Sequence, residues 1–334
     1  MSIDLTMIWA FIIFLAVFVY VVLDGFDLGI GILFHRFKVG HERDTAMNSV
    51  APVWDGNETW LVLGGGGLLA AFPLAYGLVF SALYAPLIAM LLALVFRGVA
   101  FEFRWRDPAH RRVWDLAFTG GSLLAAVAQG VMLGALLQGI AISDRAYAGG
   151  WWDWLTPFSL TTGVSVAIAY ALLGATWLVL KTEGALQKQA RDMAWWLGCA
   201  TLAAIGVVSI GTLFLSEAYF AKWLAWPRVL WVAPVPILVA LGSLAFVRSL
   251  KSGHELAPFL LTLGVFLLCF IGRGISVYPD IIPGSVTIWA AATDHSSQVF
   301  MLWGTALVLP MILAYTAWAY WVFRGKVDDH GYHT

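Results

Sequence analysis

Charge is what this sequence has least of. Among its 334 residues only 12% are Asp, Glu, Lys or Arg, and the formal net charge is −1. There is no basic field for nucleic acid and no run of like charge that would make a solvated tail, so nucleic acid is set aside as a partner. Two cysteines, Cys199 and Cys269, both lie in apolar stretches. They read as small buried hydrophobes, which implies no disulfide and says nothing of redox compartment. No stretch repeats at a fixed period and no low-complexity tract divides the chain, which is therefore expected to form one domain over residues 1–334. Phosphate-loop, zinc and hydrolase-triad patterns are also missing: the glycine run at residues 64–67 has no strand before it and no Lys-Ser/Thr ending.

What is present is apolar. Hydrophobic residues make up 61% of the chain, and the mean hydropathy of +0.83 lies far above that of water-soluble domains. A helix needs roughly 20 apolar residues to cross a bilayer while satisfying its own backbone groups. Nine such runs occur, at residues 7–34, 50–71, 76–100, 114–141, 158–180, 194–216, 229–249, 256–277 and 298–323. The break between the second and third rests on a very short turn at Phe72-Pro73. The first run has no basic segment before it and no small-residue cleavage site, so a retained helix is expected rather than a signal peptide. Basic residues flank alternate ends. Fifteen of the 19 lysines and arginines follow runs one, three, five, seven and nine, and only Arg145, Lys222, Arg228 and Arg273 fall on the other side. Since basic loops stay in the cytoplasm, the expectation is an all-α polytopic protein with its N-terminus outside and its C-terminus inside.

A carboxylate inside a spanning helix costs on the order of 3 kcal/mol on insertion scales, so such residues are candidates for function. Asp24 and Asp27 lie late in the first run, within DGFDLGIG; Asp55 and Glu58 lie early in the second, within PVWDGNETW. Each pair is spaced i, i+3, on one helix face. The assigned orientation puts all four in the cytoplasmic half of the membrane. Arg97, at the end of the third run, stands as their counter-ion. Clustered carboxylates with one cation suit proton uptake, because close like charges let protonated and ionised forms coexist. The plainer alternative is that these acids cap helix ends or pair in the interface. Gly25, Gly29 and the run at residues 64–67 read as helix-packing positions. None of the seven histidines falls in mid-run: His35, His41, His110 and His254 sit in basic loops, His295 in the last outer loop, and His330 and His333 in the tail. Met90, Met132 and Met301 do lie within runs, where a lone methionine is ordinary core filler. This chain is thus expected to ligate no haem and no metal.

The strings DGFDLGIG (24–31), NSVAPVWDGNETWLV (48–62), FRGVAFEFR (96–104), LGALLQGI (133–140) and GATWLVLKTEG (174–184), with SSQ (296–298) and LAYTAWAYW (313–321), resemble subunit II of the cytochrome bd quinol oxidases, closest to the cyanide-insensitive branch. The resemblance runs in order over most of the chain. It implies a heterodimeric terminal oxidase of the bacterial cytoplasmic membrane that reduces dioxygen to water with quinol electrons. Two b haems and one d haem would belong to subunit I. This subunit would fold as nine helices, in two four-helix bundles plus one extra helix, and would generate proton-motive force without pumping. The resemblance further implies a cytoplasmic proton path through Asp27 and Asp55, with Asp24 and Asn57 beside them, and sets Trp60 near the route to the haems. Glu58 occupies a variable position, so its role rests on spacing. Some members hold a structural quinone or a small single-helix accessory subunit, which no residue pattern here tests. The competing classes are a secondary transporter or channel and a purely structural membrane subunit. Transporters place polar residues at mid-membrane in both halves of the chain, whereas these acids lie only in the first two runs.

Overall fold

The computed structural model describes residues 4–327. His330 and His333 lie outside the described residues. The chain is helical almost throughout: α1 (Leu5–Leu33), α2 (His41–Asn48), α3 (Trp54–Ala71), α4 (Pro73–Ala82), α5 (Tyr84–Arg106), α6 (Arg111–Gln138), α7 (Pro157–Lys181), α8 (Gly184–Leu213), α9 (Glu217–Leu224), α10 (Val229–Val232), α11 (Pro234–Lys251), α12 (Leu256–Val277), α13 (Ile288–Ala291) and α14 (His295–Val322). Two small antiparallel hairpins interrupt them, β1 (Ile142–Ser143) with β2 (Ala146–Tyr147) and β3 (Asp280–Ile282) with β4 (Val286–Thr287). Among the described residues eight helices are long and apolar enough to cross a membrane: α1, α5, α6, α7, α8, α11, α12 and α14. The chain is an all-α, multi-pass membrane protein.

Caps set the helix starts. Asp4 accepts from the Thr6 and Met7 amides at α1; Thr156 and Ser159 form a capping box at α7, followed by Pro157; Asp294 accepts from the Ser297 amide at α14. Several boundaries differ from those read in the sequence. The 50–71 run is not one helix, because α2 ends at Asn48 and α3 starts only at Trp54. The 76–100 run does not begin a span at 76. Residues 73–82 form the separate α4, bent by 120° from α3, and the long helix runs from Tyr84 to Arg106. The cause is local: Pro73 disfavours helical backbone at Phe72, which sits at φ −133° and ψ 61°. Because α5 continues to Arg106, Arg97 lies about 13 Å inside that helix rather than at its end. Glu102 turns away to an exposed pair with Arg106. The basic residues 188 and 191, loop residues by sequence, belong to the first turns of α8. Cys199 is exposed on the outer face of α8 and is not buried.

The helices share two common ends. At one, the basic end, Arg191 reaches the carbonyls of Leu250, Gly253 and His254, Gln189 reaches that of Arg36, and Lys181 reaches Phe323. At the far end, Trp9 donates to Gln298, the Thr293 amide to Ala71, and Tyr219 to Leu137. The closest crossing is α1 on α7. A Cβ on Gly29 would stand 1.8 Å from the Tyr170 carbonyl oxygen, and one on Gly174 would stand 2.5 Å from Gly29, so the two backbones touch. Beside that crossing Phe26 stacks on Trp177 at 4.2 Å. α3 runs antiparallel along α1, with Gly64 and Gly67 against Val17 and Ile13. α14 is the outlier, touching α1 and α3 while Phe300, Trp303, Leu307, Met311 and Trp318 are exposed.

Candidate functional site

The tight α1–α7 crossing is what buries the acids. Gly25 and Gly29 let α7 approach and Gly31 lets Ser122 of α6 approach, so the segment from Asp24 to Gly31 has no exposed face. Asp24 and Asp27 are both 0% exposed. Arg97, itself fully buried, enters from α5: its Nη1 lies 2.6 Å from Asp24 Oδ1 and its Nη2 lies 2.5 Å from Glu58 Oε1. The guanidinium also lies 6.0 Å from the ring of Trp54. One cation is thus shared by a buried carboxylate and a partly exposed one.

Asp27 has a different environment. Asn57 Nδ2 donates to its Oδ2 at 2.7 Å, and Asn57 Oδ1 accepts from the Tyr320 hydroxyl at 2.8 Å. Its partners are neutral. Asp55, in the first turn of α3, is exposed on the surface of this chain and does not join the buried set. The i, i+3 spacing put it beside Glu58, but Glu58 reaches Arg97 while Asp55 stays exposed at the rim. Trp60 is 1% exposed against Ala16 and Tyr20. Around this cluster Asp24 Oδ2, Asp27 Oδ1, Arg97 Nε and Trp60 Nε1 are buried and make no hydrogen bond within the protein. Buried polar groups of this kind are usually satisfied by ordered water.

Sequence reasoning missed two groups. Tyr320 looks in the sequence like one more interfacial aromatic, and only the approach of α14 to α3 sets its hydroxyl on Asn57. Nearer the basic end, Asp115 accepts from Arg43 at 2.6 Å and from Arg104 at 2.5 Å, while Asp44 pairs with Arg104 and Arg111, each at 2.9 Å. Arg104, a loop residue by sequence, is 1% exposed. This network ties α2 to α5 and α6. The clue to it was Asp115, an acid near the start of an apolar run.

The donors available to a haem iron are placed at helix ends. His35 follows α1 and bonds Thr119 at 2.6 Å, His41 opens α2, His110 precedes α6, His254 precedes α12 and His295 opens α14. These described histidines sit at or beside helix ends, and no group of three or more His, Cys, Asp or Glu among the described residues could hold a metal ion.

The family model for cytochrome bd terminal oxidase subunit II matches residues 5–323. Relatives include the cytochrome bd-I ubiquinol oxidase subunit 2 of Escherichia coli (strain K12), 30% identical over 97% of this chain and 95% of that protein. The cytochrome bd ubiquinol oxidase subunit 2 of Bacillus subtilis (strain 168) is 31% identical over 92% of each. Among solved structures, the bd oxidase of Geobacillus thermodenitrificans matches with a TM-score of 0.79 at 17% identity, covering 96% of this chain and 99% of that one, a likeness of fold. This chain belongs to the cytochrome bd terminal oxidase subunit II family and is a subunit of an oxidoreductase complex, a terminal quinol oxidase.

Proposed function

We propose that this chain pairs with a haem-bearing subunit I in a bacterial cytoplasmic membrane, scaffolds it, and supplies the cytoplasmic protons consumed when quinol electrons reduce dioxygen to water. The haems of the partner, two of b type and one of d type, supply the redox chemistry; the residues of this chain handle protons and packing. The orientation puts the basic end in the cytoplasm. Counting α3 as a span, with α4 folded back on the far side, gives nine: α1, α3, α5 and α6 in one bundle, α7, α8, α11 and α12 in the other, and α14 apart. Asp55 supports a protein partner on the α3–α14 side, since a carboxylate facing acyl chains costs on the order of 3 kcal/mol.

The observation that carries the reading is Asp27: fully buried, bonded to neutral Asn57, and linked through Asn57 to Tyr320, close to the basic end of α14. A buried carboxylate without a counter-ion is stable only when it can take up a proton. Asp24 is instead paired with Arg97, which leaves Asp27 as the acid without a counter-ion of its own. Glu58, with 27% of its side chain exposed, and Asp55 at the rim form the mouth. Protons drawn from inside, with quinol releasing its own outside, build a proton-motive force without a pump. The test is Asp27→Asn in the assembled oxidase, which keeps shape and removes the titrating group. Turnover and proton uptake should both fall at least tenfold, within the range of proton-transfer catalysis. Unchanged values with full haem content would leave a purely structural subunit.

A further inference from the structure

Beyond the acids a second polar string runs deeper into the protein. Tyr20 lies one helical turn from Asp24 on the same face of α1, about 6 Å further from the basic end. Its hydroxyl accepts from Gln129 Nε2 of α6 at 2.8 Å, and Gln129 Oε1 accepts from the Tyr170 hydroxyl of α7 at 2.8 Å. Tyr20 is 4% exposed and Tyr170 2%. The ring of Tyr170 fits against α1 only because Gly25 has no side chain: a Cβ there would lie 3.0 Å from it. Three polar side chains from three helices are thus brought together where apolar packing would be simpler, and none belongs to an acidic motif.

Their hydrogen bonds have one sense. An amide donates only through nitrogen and accepts only through oxygen, and a carboxylate only accepts. With Gln129 nitrogen on Tyr20 and its oxygen on Tyr170, the Tyr20 O–H is left free to donate, and the buried Asp24 Oδ2 one turn along α1 makes no hydrogen bond within the protein. The reverse amide orientation would turn the Tyr20 lone pairs onto the carboxylate. We infer that Tyr20, oriented by Gln129 and Tyr170, is a positioning residue for proton uptake, holding Asp24 as the carboxylate that clamps Arg97. The titratable and charged groups around Asp24 are Tyr20 and Asp27 from α1, Glu58 from α3, Arg97 from α5, Tyr170 from α7 and Tyr320 from α14. This inference rests on the proton-uptake reading above.

The test compares Tyr20→Phe, Gln129→Leu and Tyr170→Phe with Asp27→Asn, each in the oxidase co-expressed with its haem-bearing partner. Turnover with quinol, proton uptake and the carboxyl infrared band in protonation difference spectra are measured. Tyr20→Phe should slow uptake about fivefold or more, the scale of one lost hydrogen bond to a charge, and move the carboxyl band while leaving KM for quinol unchanged. Tyr170→Phe, which keeps the ring beside Phe266, should move the same band by less, and it decides the matter if Tyr20→Phe fails to assemble. If Asp27→Asn slows uptake and the three variants leave rate and band unaltered, the inference fails and the acid path stands. If Asp27→Asn itself changes nothing, both fail.

Discussion

Replacing Arg97 by Met removes the only cation within ion-pair distance of Asp24 among the described residues and keeps most of the side-chain volume. Two unit charges at about 4 Å attract by roughly 4 kcal/mol at an effective dielectric constant near 20, and breaking a buried pair by removing one partner typically costs about 3–5 kcal/mol, because the other charge is left unpaired. Both Arg97 and Asp24 are fully buried, so the full penalty applies to that pair. Glu58 has 27% of its side chain exposed, so water screens it and its share is below about 1 kcal/mol. Arg97→Met is therefore expected to destabilise by about 3–5 kcal/mol, nearly all of it through Asp24. Asp24→Asn introduced alongside should recover part of that loss, giving a coupling energy of about 2 kcal/mol or more in a double-mutant cycle. The assay is detergent-induced unfolding of the purified complex followed by tryptophan fluorescence. A single-variant loss under about 1 kcal/mol, or strict additivity of the two changes, would refute the ion-pair argument.

Two further outcomes follow from packing and from surface charge. Gly29→Ala puts a Cβ into the Tyr170 carbonyl, and yield of folded complex should collapse, whereas Gly264→Ala on α12 meets nothing within 4 Å and should raise helix stability by up to about 1 kcal/mol in the same unfolding assay. Outside the membrane, Lys326 and Gln187 both donate to Glu255 and hold its carboxyl below the usual carboxylate range, while Lys326 also bonds the Thr182 carbonyl and the Val327 amide bonds that of Lys181. A group whose folded pKa is depressed contributes above its unfolded pKa and loses that contribution as pH falls through the folded value. The 323–327 strap should thus stay closed from about pH 8 to about pH 5 and loosen below about pH 4. Hydrogen exchange at the Val327 amide, corrected for intrinsic rates, reads this directly, and opening already at about pH 6 would contradict it.

The aspartates at 24 and 27 could be singled out in the sequence because each is an expensive residue inside an apolar run, while the arginine at 97 was legible only as a counter-ion at a run's end. That argument works residue by residue and needs no neighbour. It could not separate Asp27 from Asp24, since the difference lies in which helix faces each: α5 brings a guanidinium to one, α3 an amide to the other. Nor could it see that Asp55 stays at the surface, because i, i+3 spacing places two residues on one face without saying how much of that face is covered. Gln129 was open to the same insertion argument as the acids and passed unnoticed, being uncharged. Tyr20, Tyr170 and Tyr320 carry no such signal, as a tyrosine in a membrane helix is common.

Composition and the spacing of basic residues were enough to make this an all-helical membrane protein and to point its acids towards one end, because hydropathy and helical period are properties of the chain alone. Tertiary structure decided the rest: the bend at Pro73, the true length of α5, the pairing of Arg97 with Asp24, and the tyrosine–glutamine string. The last two depend on how closely helices approach, and at the α1–α7 crossing that distance is set by Gly29 and Gly174 acting together across 145 positions of sequence.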